Sequence, residues 1–259
     1  MFKCIKLEIL DNVALITLNH PEKLNALSSV VIEELNLALD KVEGDESARA
    51  LVIWGGESLF GAGADISEIV NIANSYEAYR FSRKFQSLCD RLENLPLATI
   101  AAISGYALGG CLELALACDI RVAGEKAQLG LPEIKLAVLP GGGGTQRLPR
   151  LIGTSRAKEL ILVGDPVSAV EAHRLGLVNR LVEEGRLYEE GMKLARTLAS
   201  RAPIALAMIK NSINVGAALD MNSALEHEAT CFGVLFDSED RDEGLKAFLE
   251  KRKAVFKGR

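Results

Sequence analysis

Apolar and polar positions alternate from residue 2 to residue 18, with Asp11-Asn12 interrupting the pattern midway. A period of two broken by a turn-forming pair predicts a β-hairpin, and His20-Pro21 stops its second arm. From Ser28 the period lengthens: Val31, Leu35, Leu39 and Val42 fall on one helical face, with Glu43-Gly44 near its end. The run 50–54 then reads as a buried strand. The unit repeats as a helix over 80–93, a strand over 98–103 after Pro96, a short helix from Gly110 and a strand over 119–122. A further strand-like run, 135–139, stops at Pro140. Strands alternating with helices imply parallel pairing through crossover connections. Some intervals are too short for a doubly wound sheet, so the pattern predicts an α/β spiral of ββα units.

After about residue 150 the pattern is mostly helical. A helix over 155–163 ends at Gly164, and Ser168 with Glu171 forms a capping box for a helix that Gly176 stops. A short strand over 177–182 follows. Three more helices are predicted at 186–200, 203–217 and 221–236, the second with Pro203 in its first turn, and an amphipathic stretch begins near Asp240. No low-complexity linker separates the halves. The chain divides into a spiral core over 1–195, which carries the chemistry, and a helical region over 196–259, which packs on that core or on a neighbouring subunit.

Composition narrows the function classes. The 259 residues are 49% hydrophobic and 25% charged, the balance of a globular protein with a large core. A net charge of −5 argues against nucleic-acid binding, which calls for a basic face. The one basic cluster is C-terminal: Lys251-Arg252-Lys253 with Lys257 and Arg259. Five scattered cysteines without a CxxC pair give no metal site and read as reduced core thiols. The N-terminus lacks an apolar signal core, and no run approaches the ~18 apolar residues of a membrane helix. These features predict a cytoplasmic protein, or a mature form without its targeting segment, with no membrane contact.

Candidate chemistry lies in three glycine-bearing stretches: FGAGADISE (60–68), GYALGGCLELALACD (105–119) and LGLPEIKLAVLPGGGGTQRL (129–148). The first places the Ala64 N–H where a helix begins, with Asp65 as its cap and Glu68 as capping-box partner. On its own that pentapeptide reads first as a tight turn that needs glycines. Gly109-Gly110 opens the helix that carries Glu113, an acid among Leu112, Leu114, Ala115, Leu116 and Ala117. Glu133 follows Pro132 in another apolar stretch. Taken singly, Glu113 reads equally as an acid favoured by a helix dipole, and Glu133 as an exposed turn acid. Two helix-start amides with two buried carboxylates are the parts of a reaction through an oxyanion. The run Gly141–Gly144 is neither a phosphate loop nor a dinucleotide fingerprint, and reads as close backbone packing beside the site. His20, His173 and His227, on expected helix surfaces or loops, give little support to a catalytic triad.

The segments HPEKLNALS (20–28), FGAGADISE, SGYALGGCLELALACDIRVA, GLPEIKLAVLPGGGGTQRLPRLIG and EAHRLGLVNRLV, in that order, resemble the enoyl-CoA hydratase/isomerase (crotonase) family along almost the whole chain. The C-terminal EGLKAFLEKRKAVFK resembles the short-chain enoyl-CoA hydratases in particular. The resemblance implies a spiral core, a helical C-terminal trimerisation region and a homohexamer built from two trimers. It implies an acyl-CoA substrate in β-oxidation or butyryl-CoA metabolism, and no cofactor, since CoA is part of the substrate. Carried onto this chain, Ala64 and Gly110 would hold the thioester oxygen, and Glu113 and Glu133 would be the hydratase acids. Lys23, Leu24 and Ala62, with Asp65 and Ile66 beside them, would bind CoA, and Lys251 would meet its 3′-phosphate.

One departure stands out: Cys111-Leu112 occupies the place of Gly-Cys in many hydratases. The bulkier residue after Gly110 is expected to shape the acyl pocket, and so chain-length preference. Keeping both glutamates favours hydration over Δ3-Δ2 isomerisation, with a branched substrate such as 3-methylglutaconyl-CoA as a further option. RNA binding is disfavoured by the acidic first helix.

Overall fold

A computed structural model describes residues 2–259. The hairpin forms from β1 (Ile5–Leu10) and β2 (Val13–Leu18), antiparallel, with Asp11 and Asn12 both at positive φ. Paired positive φ values give a turn whose twist matches the strands, and Asp and Asn tolerate them well. Ser28 caps α1 (Ser29–Glu43), its Oγ accepting from the Val31 N–H at 3.3 Å. The next elements are β3 (Ala50–Trp54), α2 (Ile66–Ile69), α3 (Ser75–Asn94), β4 (Ala98–Ile103) and β5 (Tyr106–Leu108). Then come α4 (Gly110–Leu116), β6 (Ile120–Gly124), β7 (Gln128–Gly130), α5 (Gly144–Ile152), α6 (Thr154–Val163), β8 (Val167–Ser168), α7 (Ala169–Arg174) and β9 (Arg180–Val182). The chain ends in α8 (Leu187–Ala199), α9 (Pro203–Gly216), α10 (Met221–Val234) and α11 (Glu239–Leu249).

Two sheets result. The larger has the order β1-β2-β3-β4-β6-β9, and every pair after the hairpin is parallel. The smaller has the order β5-β7-β8 and is extended by single bridges between Gly61 and Ala107 and between Leu27 and Ala64. Each turn of the spiral thus lays one long strand in the first sheet and one short strand in the second before a helix carries the chain onward. One core cluster fills the space between the sheets and α1, α3 and α4, and another seats α8 against the outer face of the large sheet. The α/β spiral read from the sequence is the fold observed.

Two local expectations fail. Residues 135–139 are not a strand: Pro132–Leu136 forms a 3-10 turn that ends with Ala137 in the left-handed region. Pro132 starts the turn because it fixes φ and has no N–H to give. The apolar residues that suggested a strand, among them Leu136, Val138 and Leu139, are exposed instead. Asp65 does cap α2, accepting from the Ser67 N–H, but Glu68 does not close a capping box. The Asp65 N–H is already taken by the Leu27 carbonyl, so Glu68 reaches the Ser29 N–H and Oγ at the start of α1.

Candidate active site

The second sheet brings the glycine-bearing segments together. The bridge between Gly61 and Ala107 sets the turn 61–65 alongside β5, and β5 leads directly into α4. Gly109 sits at φ +49, so a glycine is needed there, and its N–H donates to the Gly130 carbonyl. Gly110 then begins α4. The Ala64 nitrogen lies 3.5 Å from where a Cβ on Gly110 would stand, so the two amides are neighbours. Neither the Ala64 N–H nor the Gly110 N–H has a protein acceptor among the described residues. Gly110 N–H is one of the free donors that open every helix. Ala64 N–H is free for another reason: the preceding Gly63 carbonyl accepts from the Leu27 N–H at 2.8 Å, and a trans peptide points its N–H the opposite way.

Glu113 lies one turn into α4 and is 2% exposed. Its Oε1 accepts from the Gly142 N–H at 2.8 Å and the Gly144 N–H at 2.7 Å. The four-glycine run is therefore more than close packing: it supplies the carboxylate's hydrogen bonds. That turn is itself fixed, because Ser82 Oγ and Gln86 Nε2 donate to the Gly141 carbonyl and Arg147 donates to the Gly142 carbonyl. A Cβ on Gly142 would stand 2.2 Å from the Phe85 ring. Glycine is required there by proximity.

Glu133 is the second residue of the 3-10 turn. Its Oε1 lies 3.0 Å from where a Cβ on Gly109 would stand, and its Oε2 is buried without a hydrogen-bond partner. Burial pushes Glu113 up to about 7; the Gly144 and Gly142 amides oppose the rise and the charge of Glu133 adds to it. Burial raises Glu133 too, against a smaller opposing effect from its own backbone N–H. The value for Glu113 alone would cast it as the proton donor. The hydrogen bonds argue the reverse, since two N–H groups on one oxygen hold the carboxylate form while Glu133 has none from another residue. A proton on Glu133 also removes the repulsion that helps raise Glu113. The arrangement is one carboxyl whose Oε1 accepts from two backbone N–H groups, a second whose buried Oε2 has no partner, and two unpaired amides beside them.

Lys23, Leu24, Ala62, Asp65 and Ile66 gather on the outer side of the same turn. The Ala62 N–H donates to the Leu24 carbonyl, and Lys23 Nζ lies 2.7 Å from Asp65 Oδ2. The Lys23 ammonium, helped by Ser67, holds the Asp65 carboxyl down at about 2. Leu24, Ala62 and Ile66 are exposed around that pair. Lys251 is not part of this group. It follows α11 at φ +54, and among the described residues no hydrogen bond or ion pair joins it to the site. Cys111 is turned away from the place expected for it. Its thiol is wholly buried beneath the turn 61–65, 3.4 Å from the Gly63 nitrogen, and does not line the space beside the carboxylates. A separate cavity of about 770 Å³ lies between α9 and the C-terminal end of α4, and neither glutamate lines it. Among the described residues no cluster of histidine, cysteine and acidic side chains is placed to hold a metal, and no helix is long and apolar enough to cross a membrane.

The model of the enoyl-CoA hydratase/isomerase family matches residues 8–259. The chain belongs to that family. Within the family, the chain is 44% identical over 255 residues to a probable enoyl-CoA hydratase of Bacillus subtilis, with 98% of each chain covered. It is 42% identical over 248 residues to the short-chain-enoyl-CoA hydratase of Clostridium acetobutylicum, with 95% of each covered. Among solved structures, the enoyl-CoA hydratase from Bacillus anthracis matches at a TM-score of 0.94 and 40% identity, covering 99% of this chain and 100% of that one. The two sheets and C-terminal helices are the crotonase fold, and membership of the enoyl-CoA hydratase/isomerase family implies an acyl-CoA substrate.

Proposed function

We propose that the protein is an enoyl-CoA hydratase that reversibly adds water, syn, to a 2-trans-enoyl-CoA to give the 3-hydroxyacyl-CoA. One observation carries this reading: two adjacent, unpaired amides, of Ala64 and Gly110, beside a buried and a half-buried carboxyl group held in different hydrogen-bonding states. The thioester oxygen is held by the two N–H groups. As the water oxygen bonds to C3, Glu113 Oε2 takes the water's proton, and the C2=C3 electrons move to place negative charge on the thioester oxygen. Fixed donors at such an oxygen contribute roughly 3–4 kcal/mol each. Glu133 then gives its proton to C2 and the thioester carbonyl reforms. The proton left on Glu113 is exchanged back before the next turnover, so water is the only net reactant.

CoA is assigned to the surface of Lys23, Leu24, Ala62, Asp65 and Ile66, with Lys251 reaching the 3′-phosphate from a neighbouring subunit. The helices after residue 195 would build the trimers of a homohexamer. A short acyl chain, and so a place in butyryl-CoA metabolism or the last cycles of β-oxidation, is supported by the C. acetobutylicum relative.

The decisive assay follows loss of the conjugated enoyl-thioester absorbance with crotonyl-CoA. Glu113→Gln and Glu133→Gln should each lower kcat by about 10²–10⁴-fold with the fold intact. Near-native turnover in either variant removes that residue from the mechanism. Faster turnover of a 3-enoyl-CoA than hydration of crotonyl-CoA by the native enzyme would replace the hydratase reading with isomerase.

A further inference from the structure

Position 111, where the sequence departs from many hydratases, lies at the join between the two amide donors. Cys111 directly follows Gly110, and its Sγ touches Gly63, the residue before Ala64. The Gly63 N–H has no backbone acceptor among the described residues and donates to Sγ at 3.4 Å. The thiol in turn lies 3.5 Å from the Gly63 carbonyl and 3.6 Å from the Asn25 carbonyl, either of which can accept its hydrogen. Asn25 is itself buried, and its Nδ2 donates to the Gly55 carbonyl at 2.9 Å. The sulfur thus rests on the turn 61–65 itself and on Asn25. Its burial pushes the thiol up to about 12, so it stays a neutral thiol across the working pH range.

Gly61 supplies a second, independent observation. Gly63 has φ +117 and needs glycine for its conformation, but Gly61 lies outside the positive-φ region. A positive φ is therefore not what calls for glycine there. What forbids a side chain is Cys111: a Cβ on Gly61 would stand 2.3 Å from Sγ, and 3.1 Å from both Cys111 Cβ and the Asn25 carbonyl oxygen. The glycine is the steric complement of the cysteine.

We propose that Cys111 is a positioning residue for the oxyanion site, with Gly61 cut away to receive it, and that this pair sets how the turn bearing Ala64 seats against Gly110. The proposal rests on the hydratase reading of the site. The thiol touches no substrate; it acts through the Gly63–Ala64 peptide. Displacing that peptide weakens a hydrogen bond that strengthens as charge develops, so the loss falls on kcat more than on KM.

The test is a double-mutant cycle with crotonyl-CoA, reading kcat and KM separately and checking the fold by circular dichroism. Gly61→Ala should lower kcat by about 100-fold, the effect of a misplacement of ~1 Å, with KM changed by less than about threefold. Adding Cys111→Gly should restore kcat to within about tenfold of native, a non-additivity expected of residues in contact. Cys111→Ala, which introduces no clash, should lower kcat by about three- to tenfold by leaving the Gly63 N–H without its acceptor. A folded Gly61→Ala enzyme with near-native kcat, or a folded double variant no faster than Gly61→Ala, overturns the proposal. Should Gly61→Ala fail to fold, Cys111→Ala decides, and native kcat there overturns it. A native enzyme that does not hydrate crotonyl-CoA would sink the functional reading instead, so the two failures are distinguishable.

Discussion

Glu113 carries a consequence for stability as well as for catalysis. Burial raises its pKa in the fold to about 7 from an ordinary 4.5, so the folded state holds the proton more tightly than the unfolded chain does. The contribution of that protonation to stability is full below about 4.5, shrinks as pH rises, and is gone above about 7. The difference is on the order of 3 kcal/mol for a group this buried. In Glu113→Gln the side chain is neutral at every pH and its amide oxygen still accepts from Gly142 and Gly144. Thermal melts from pH 4 to pH 9 should therefore show the variant gaining on the native protein between about 4.5 and 7, with a level gap above. A pH-independent gap would show that the carboxylate titrates normally.

At this scale the sequence was informative about residue identity and poor about direction. An acid in an all-apolar helical turn and a glycine pair before it are legible because each is anomalous alone. The partners of Glu113 were less so: four glycines signal close packing but not which amides face inward. The effect expected of Cys111 on the acyl pocket follows from its bulk after Gly110, and bulk does not say that the side chain faces the turn 61–65.

Among the elements, α11 bears on how CoA is held. Arg252 is committed to Glu243 and Glu250, and Asp240 accepts from the Lys257 and Gly258 N–H groups, so the C-terminal tail is folded back on α11. Of that basic cluster, Lys251, Lys253 and Lys257 are left exposed without an ion-pair partner among the described residues, and Lys251 is the one at the helix end. Lys251→Ala should raise KM for crotonyl-CoA several-fold at unchanged kcat and leave KM for the 3′-dephospho-CoA thioester unaltered. An equal rise for both substrates, or none, removes Lys251 from the 3′-phosphate. Long elements were legible because they run for several periods: α3, α9 and the hairpin strands fall within a few residues of their expected places. The strands β5, β7 and β8 have two or three residues each and show no period at all. They are defined by the spiral that closes around them. The exposed apolar stretch after Glu133 misled in the opposite sense, since apolar character there is unrelated to sheet formation.

For the whole molecule, the large apolar residues left exposed after residue 195 set the expectation. Ile209 and Ile213 on α9, Phe232 on α10 and Phe248 on α11 are between 59% and 82% exposed. Such a concentration on three successive helices is more than a monomer's surface usually carries. Light scattering behind size exclusion should give a mass that is a multiple of three 27.9 kDa protomers. Replacing both Ile209 and Ile213 by Glu should shift it toward the single protomer, because charge in a buried interface is costly. A native protein that runs as one protomer at micromolar concentration would refute the assembly. The fold class was legible at this scale because the spacing of strands leaves few topologies open. The mutual seating of the two sheets was not, since it depends on single contacts far apart in sequence, such as Leu27 with Gly63.

The 2.3 Å approach between a Gly61 Cβ and the Cys111 sulfur also constrains how this sequence can drift. Alanine at position 61 fits better once position 111 has shrunk; taken in the other order, the path should cross a variant whose turn 61–65 is displaced and whose turnover is slow. Divergence at these two positions is therefore expected to be ordered, with the change at 111 coming first.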